Sequence, residues 1–193
     1  MSTNEEIRQG VIESLPEAKL IKDVELRERV YDAWTMALAE SEYVRIEDIP
    51  ASGNPNEPVM GEGTQTDHLR SVARLALAIT KEMQGTFRAF NADTDEVIAG
   101  GLCHDLGKPF EFGSKNQARW QADPLVTGWP SIRHPGYGVH IALSAGLPEK
   151  IAHICGAHSP EGQFVKRSLV GEIVHQADEI FWMLAEVAGI LQG

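Results

Sequence analysis

The sequence is poor in cysteine, in positive charge and in long apolar runs. Only two of its 193 residues are cysteines, Cys103 and Cys155, and both sit inside apolar stretches with no CxxC pair. This excludes a disulfide-framed scaffold and a cysteine-rich zinc module, and it predicts buried free thiols in a reducing compartment. Lys and Arg number 17 against 28 Asp and Glu, a net charge of −11. That excess argues against binding a nucleic-acid polymer through its phosphates, while leaving room for a local basic pocket. No stretch approaches the roughly 20 apolar residues that cross a bilayer, and the opening MSTNEEIRQGVIESLPEAKL has no signal-peptide run. No membrane partner is expected, and the cytoplasm is the expected location. Strand signals of strength comparable to the helical pattern are absent, as is any internal repeat.

What is present suffices for a core. With 42% hydrophobic residues, one domain spanning residues 1–193 is the expectation, its oligomeric state left open. A short helix is predicted over residues 4–15, stopped near Pro16, and a second from Val24 to Glu42, where Val30, Trp34, Ala37 and Leu38 recur at helical spacing. From Tyr43 to Thr66 the periodicity fails in a stretch rich in Pro, Gly, Asn and Ser, which predicts a long loop, either a wall or lid for a site or a disordered segment. Thr66 or Asp67 is placed to cap the next helix, with His68, Val72, Leu75, Ile79 and Met83 on one face. Asp93 to Asp105 forms another, in which Gly100 and Gly101 permit close approach of a neighbour.

Residues 107–133 form a second irregular region. It carries Trp120 and Trp129 with Lys108, Lys115, Arg119 and Arg133, a set that either lines an anion-binding pocket or, for Lys115 and Arg119, decorates a solvated loop. Helices follow from His134 to about Ala145, from Glu149 to His158, and from Val165 to Leu191, the last with Leu169, Ile173, Ala177, Ile180, Phe181 and Leu184 inward and Asp178 at the border of that face. The expected fold is an all-α helical bundle with two long irregular loops. Residues 1–65 read as an N-terminal helical extension and loop, and residues 66–182 as the core.

The chemistry concentrates at GLCHDLGKPF, residues 101–110, where His104 and Asp105 stand side by side. Imidazole and carboxylate form a mixed N/O ligand set suited to iron, manganese or zinc. Adjacent helical residues point about 100° apart, so both reach one centre only near a helix end, and Gly107 is the expected terminator. Further candidates fall in the order His68, His104-Asp105, His134, His158 and Asp178. His140, His153 and His175 are assigned ordinary packing or surface roles.

In this order the residues resemble the HD-domain superfamily, whose signature is a histidine, a distant His-Asp doublet and a later aspartate on a helical bundle. The resemblance spans roughly residues 66–182: His68 matches the first histidine, HDLGK at 104–108 the doublet, and Ala177-Asp178 in HQADEI the closing aspartate. His134 and His158 resemble the two additional histidines of two-metal members. Six potential ligands also exceed the four that saturate a tetrahedral ion, which favours two metals with open positions. The resemblance implies one ion held by His68, His104, Asp105 and Asp178, with Asp105 bridging to a second that His134 and His158 also hold. Iron is the first choice for both, with manganese or zinc as alternatives.

The leading expectation is a metal-dependent phosphohydrolase acting on a small phosphate ester or nucleotide, in which two cations acidify a water that attacks phosphorus while Lys108 stabilises oxygen charge. The alternative is a mixed-valent di-iron oxygenase oxidising a small polar substrate, by resemblance to the inositol oxygenases or the phosphonate-cleaving oxygenases, which use this same ligand order. GLCHDLGK and His158-Ser159 are similar to inositol-oxygenase segments whose matching lysine and serine contact substrate, although the intervening loop and the short chain depart from that enzyme. A third possibility is a non-catalytic, metal-stabilised binding module. Asp105 and Lys108 are thus the expected catalytic residues, and Lys108, Arg133 and Ser159 the expected contacts to an anionic or polyhydroxylated small molecule. For Lys108 the plainer alternative is a surface lysine near a helix C-terminus.

Overall fold

Five of the α-helices among the described residues begin where a side chain takes over from the backbone. In the computed structural model, which describes residues 3–51 and 59–192, α1 (Asn4–Ser14) opens on a reciprocal capping box between Thr3 and Glu6 and stops before Pro16. Asp23 caps α2 (Val24–Ala39), accepting from the Leu26 amide at 3.1 Å. The cap of α3 (Gln65–Thr86) is Thr64 rather than Thr66 or Asp67, because Asp67 serves as the reciprocal partner in a second capping box. Asp93 caps α4 (Thr94–Cys103). Pro135 stands in the first turn of α8 (His134–Ser144), and α9 (Glu149–Ala157) follows Pro148. The last helix, α10 (Leu169–Val187), starts four residues later than its apolar pattern suggests, since Ser168 accepts from the Gly171 amide and sets the boundary.

The second irregular region is instead folded into short helices: α5 (Lys108–Glu111), α6 (Ser114–Ala122) and α7 (Pro124–Thr127). Their sequence hides them because α6 buries a single residue, Trp120, so no apolar stripe exists to read. Side chains do the fastening, with Asn116 donating to the Phe110 carbonyl and Gln117 to that of Glu111. In the first irregular region Val59–Met60 (β1) pairs antiparallel with Leu191–Gln192 (β2), strands too short for an alternating pattern. Residues 52–58 of that expected wall or lid lie outside the described residues.

One apolar cluster runs from Ile7 to Ala177 and includes the buried faces of α1 and α2. Trp34 is fully buried there and donates its indole N–H to the Leu102 carbonyl at 2.8 Å, tying α2 to α4. The anticipated close approach of α4 is real: a Cβ on Gly101 would lie 2.6 Å from the Ala73 Cα on α3. Because backbones touch there, the buried stripe of α3 is Leu69, Val72, Ala73, Ala76 and Thr80, and the larger Leu75, Ile79 and Met83 are only half-buried. In α10 the buried face is likewise Val170, Ile173, Val174 and Ala177, while Leu169 and Leu184 are 46% and 56% exposed. Among the described residues no helix is long and apolar enough to cross a membrane.

Candidate metal centre

Four helix ends and one helix interior deliver the expected ligands to one place. His68 lies in the first turn of α3, His104 caps the C-terminus of α4 with Asp105 following, His134 opens α8, His158 caps the C-terminus of α9, and Asp178 sits midway along α10. All six are buried. The helix end anticipated at the doublet is there, with the chain changing to i→i+3 hydrogen bonds from Cys103 to Lys108. Gly107 acts differently from expectation. Its φ of −87° is ordinary, but a Cβ would collide with the His134 carbonyl and lie 2.7 Å from the Gly138 amide. Glycine there lets α8 press against the doublet.

The hydrogen bonds orient the imidazoles. His104 Nδ1 donates to the Gly101 carbonyl at 2.8 Å, His158 Nδ1 to the Cys155 carbonyl at 2.9 Å, and His134 Nδ1 to Glu111 Oε2 at 2.7 Å. Each ring then presents an unprotonated Nε2 to the centre. Asp105 divides its two oxygens. Oδ2 lies 3.2 and 3.3 Å from Nε2 of His68 and His104, and Oδ1 lies 3.5 and 3.6 Å from Nε2 of His134 and His158. Asp178 Oδ1 adds to the first set, 3.3 Å from His68 Nε2 and 3.8 Å from His104 Nε2.

This donor set fits divalent cations. The Nε2 atoms of His68 and His104 face each other at 3.1 Å, and those of His134 and His158 at 3.4 Å. Asp178 Oδ1 is buried with no hydrogen-bond partner, a condition that folded proteins rarely leave without an ion or water to satisfy it. His68, His104 and Asp178 form one group of converging ligand atoms, and His104, Asp105 and His158 another. Electrostatics favour the ligating forms of His68, His134 and Asp105. Burial pushes His68 down to about 4 and lowers His134 as well. For His104 burial is outweighed by the carboxylates of Asp105 and Asp178, and the net shift is upward. Burial also works against the charge on Asp105, but Lys108 and His104 hold its carboxyl well below the usual range.

Lys108 is no surface residue. It is 2% exposed, opens α5 rather than closing a helix, and places Nζ 2.7 Å from Asp105 Oδ2, 2.6 Å from the Ala51 carbonyl and 3.3 Å from Gln65 Oε1. Arg133 and Ser159 meet through Glu161, Arg133 by its Nε at 3.0 Å and Ser159 by its hydroxyl at 2.6 Å. Both residues line a cavity of about 810 Å³ with Asp105, Lys108, His134 and His158. Lys115 and Arg119 stay on the exposed side of α6, away from this cavity. His140 is exposed and His153 accepts from the Ser168 amide, as ordinary surface and packing roles require. His175 donates from Nδ1 to the His158 carbonyl and also borders the cavity.

Three residues of the site escape a reading of the sequence. Glu111, fully buried, holds His134; its one visible signal is a lone carboxylate inside the apolar run PFEFG. Gln65 donates to Asp105 Oδ2 at 2.9 Å, with nothing in the sequence to mark it. Trp182 stands one helical turn beyond Asp178, its ring centroid 4.9 Å from that of His68, and forms part of the cavity wall.

The HD domain family matches residues 66–183, a span that holds all six ligand candidates. A dihydroneopterin 2',3'-cyclic phosphate phosphodiesterase of Methanocaldococcus jannaschii is 25% identical over 177 residues, covering 89% of this chain and 68% of that protein. No solved structure matches the chain significantly. With the family match extending over well more than half of its length and the candidate ligands converging as described, the chain belongs to the HD domain family.

Proposed function

We propose that this protein hydrolyses a small phosphate ester, best a phosphodiester or cyclic phosphate carried on a planar ring compound, at a centre of two divalent ions. The division of Asp105 is the chief support. With Oδ2 turned to His68 and His104 and Oδ1 to His134 and His158, one carboxylate serves two ligand sets at once. His68, His104 and Asp178 would complete the first set, and His134 and His158 the second. When bound, the ions supply Lewis acidity and lower the pKa of coordinated water. Iron is the first choice for such N/O donors, with manganese or zinc as alternatives.

The chain's own residues then bind and orient the ester. Arg133, on the cavity wall beside the second ligand set, is placed to donate to phosphate oxygens, and Ser159 would do so by turning its hydroxyl away from Glu161. The Lys108 ammonium, fixed against Asp105, offsets negative charge deep in the site. Ile180, Trp182 and Met183, which also line the cavity, offer an apolar and aromatic wall to the organic part of the substrate. The M. jannaschii relative is named for a cyclic phosphate on a pterin, which agrees with a ring against Trp182.

A 2',3'-cyclic nucleotide and bis(p-nitrophenyl) phosphate are suitable probes. Metal-loaded protein should convert each to a monoester, seen by phosphorus NMR, and should lose that activity with a chelator and regain it with manganese or ferrous iron. A di-iron oxygenase would use the same six ligands. Failure to cleave any phosphate ester, together with dioxygen uptake and a mixed-valence di-iron paramagnetic signal, would replace the hydrolase assignment.

A further inference from the structure

Glu111 is a fully buried carboxylate that touches none of the six ligand candidates except His134, and its side-chain hydrogen bonds go to His134 and to the adjacent Arg133, at the second ligand set. Its Oε2 accepts from the His134 backbone amide and from His134 Nδ1, and its Oε1 accepts from Arg133 Nη1 at 3.0 Å. Two adjacent residues, one a ligand candidate and the other a cavity-wall cation, are therefore held by one carboxylate. The carboxylate itself is rigidly mounted. Glu111 ends α5, whose Phe110 stacks on Tyr137 of α8 with ring centroids 3.8 Å apart. His104 and His158, by contrast, donate Nδ1 to carbonyls within their own helices, three residues back. Only His134 opens its helix, so no preceding turn offers it a carbonyl, and the acceptor has to come from elsewhere in the fold.

We infer that Glu111 is a positioning residue that locks His134 in the Nδ1–H tautomer with Nε2 aimed at the second ion, and that it sets Arg133 beside that ion through its other oxygen. This rests on the two-ion centre proposed above. A carboxylate acceptor orients the ring and raises the basicity of the ligating nitrogen, and loss of such a partner lowers metal affinity by about 10- to 100-fold.

Histidine side-chain nitrogen NMR of metal-stripped protein and metal titrations followed by cobalt absorption spectra test the inference in the intact chain. In the wild type His134 should show the Nδ1–H tautomer; an Nε2–H tautomer overturns the inference without recourse to any variant. Glu111→Gln keeps the shape of the side chain but provides one acceptor oxygen instead of two. It should retain helical circular dichroism, weaken one of two cobalt ions by roughly tenfold or more and alter that ion's spectrum, with Glu111→Ala weakening it further. A purely structural residue would lower the melting temperature and leave both affinities and both spectra unchanged. Two ions in the wild type with unaltered affinities in Glu111→Gln overturn the inference and leave the two-ion centre standing. A single ion in the wild type overturns the two-ion centre, and the inference then stands or falls on whether Glu111→Gln weakens that one ion.

Discussion

Lys108 and Asp105 form an ion pair sealed inside the protein, with Nζ 2.7 Å from Oδ2 and side-chain exposures of 3% and 2%. Breaking such a pair by removing one partner leaves an uncompensated buried charge, which costs about 3–5 kcal/mol. Divalent ions at Asp105 would offset that charge in its place. Lys108→Ala should therefore melt well below the wild type when both are stripped of metal, and much closer to it when both are loaded. Paired thermal melts with and without chelator check this. Phosphodiesterase activity of the loaded variant should fall at least tenfold, and unchanged catalytic efficiency would mean that Lys108 serves the fold alone.

The ligand assignment makes a stoichiometric prediction. His104→Ala and Asp105→Ala, which touch both ligand sets or their shared edge, should abolish binding at the centre, because Asp105 faces all four histidines. His134→Ala or His158→Ala should leave one ion of two. Metal analysis after dialysis distinguishes the cases, and full occupancy in the doublet variants would refute the site.

Trp182 should act on binding rather than chemistry. Its contribution as an aromatic stacking wall is about 1 kcal/mol, or roughly fivefold. Trp182→Ala should raise KM by about that factor for a ring-bearing phosphodiester with kcat little changed, and should leave a ringless dialkyl phosphodiester unaffected. Equal losses on both substrates would show that the ring contact is absent.

Stability of the metal-stripped protein should depend on pH through His68. Its folded-state value of about 4 lies below the ordinary 6.5, so between those values the unfolded chain holds a proton that the folded chain does not. Stability is fully present above about 6.5 and is lost as pH falls toward 4. His134 is shifted the same way, and His104, shifted upward, opposes them. Melting temperatures in chelator should drop across this window, and His68→Gln should flatten the drop. A flat wild-type profile would contradict the burial of a neutral His68.

The types and order of the candidate ligands were legible in the chain because metal chemistry demands particular residues, and a histidine, a His-Asp doublet and a late aspartate on apolar helices are visible one at a time. Helix positions were legible for a similar local reason, since apolar residues recur at helical spacing, but their starts were less so: Ser168 caps α10 where the apolar pattern begins at Val165, and Thr64 caps α3 in place of Thr66 or Asp67. Burial of Lys108 was not, because its environment is assembled from Ala51 and Gln65, 57 and 43 residues away along the chain. Glu111 was hidden likewise, its partner His134 being 23 residues on and across a region whose short helices bury only one large side chain between them. Even Gly107 changed meaning in three dimensions, from a helix stop to the space that α8 occupies. What the sequence by itself determined is the chemistry available to the site; which oxygen of Asp105 faces which histidines, and what braces them, follows from backbones approaching across long separations, and that only the tertiary structure decided.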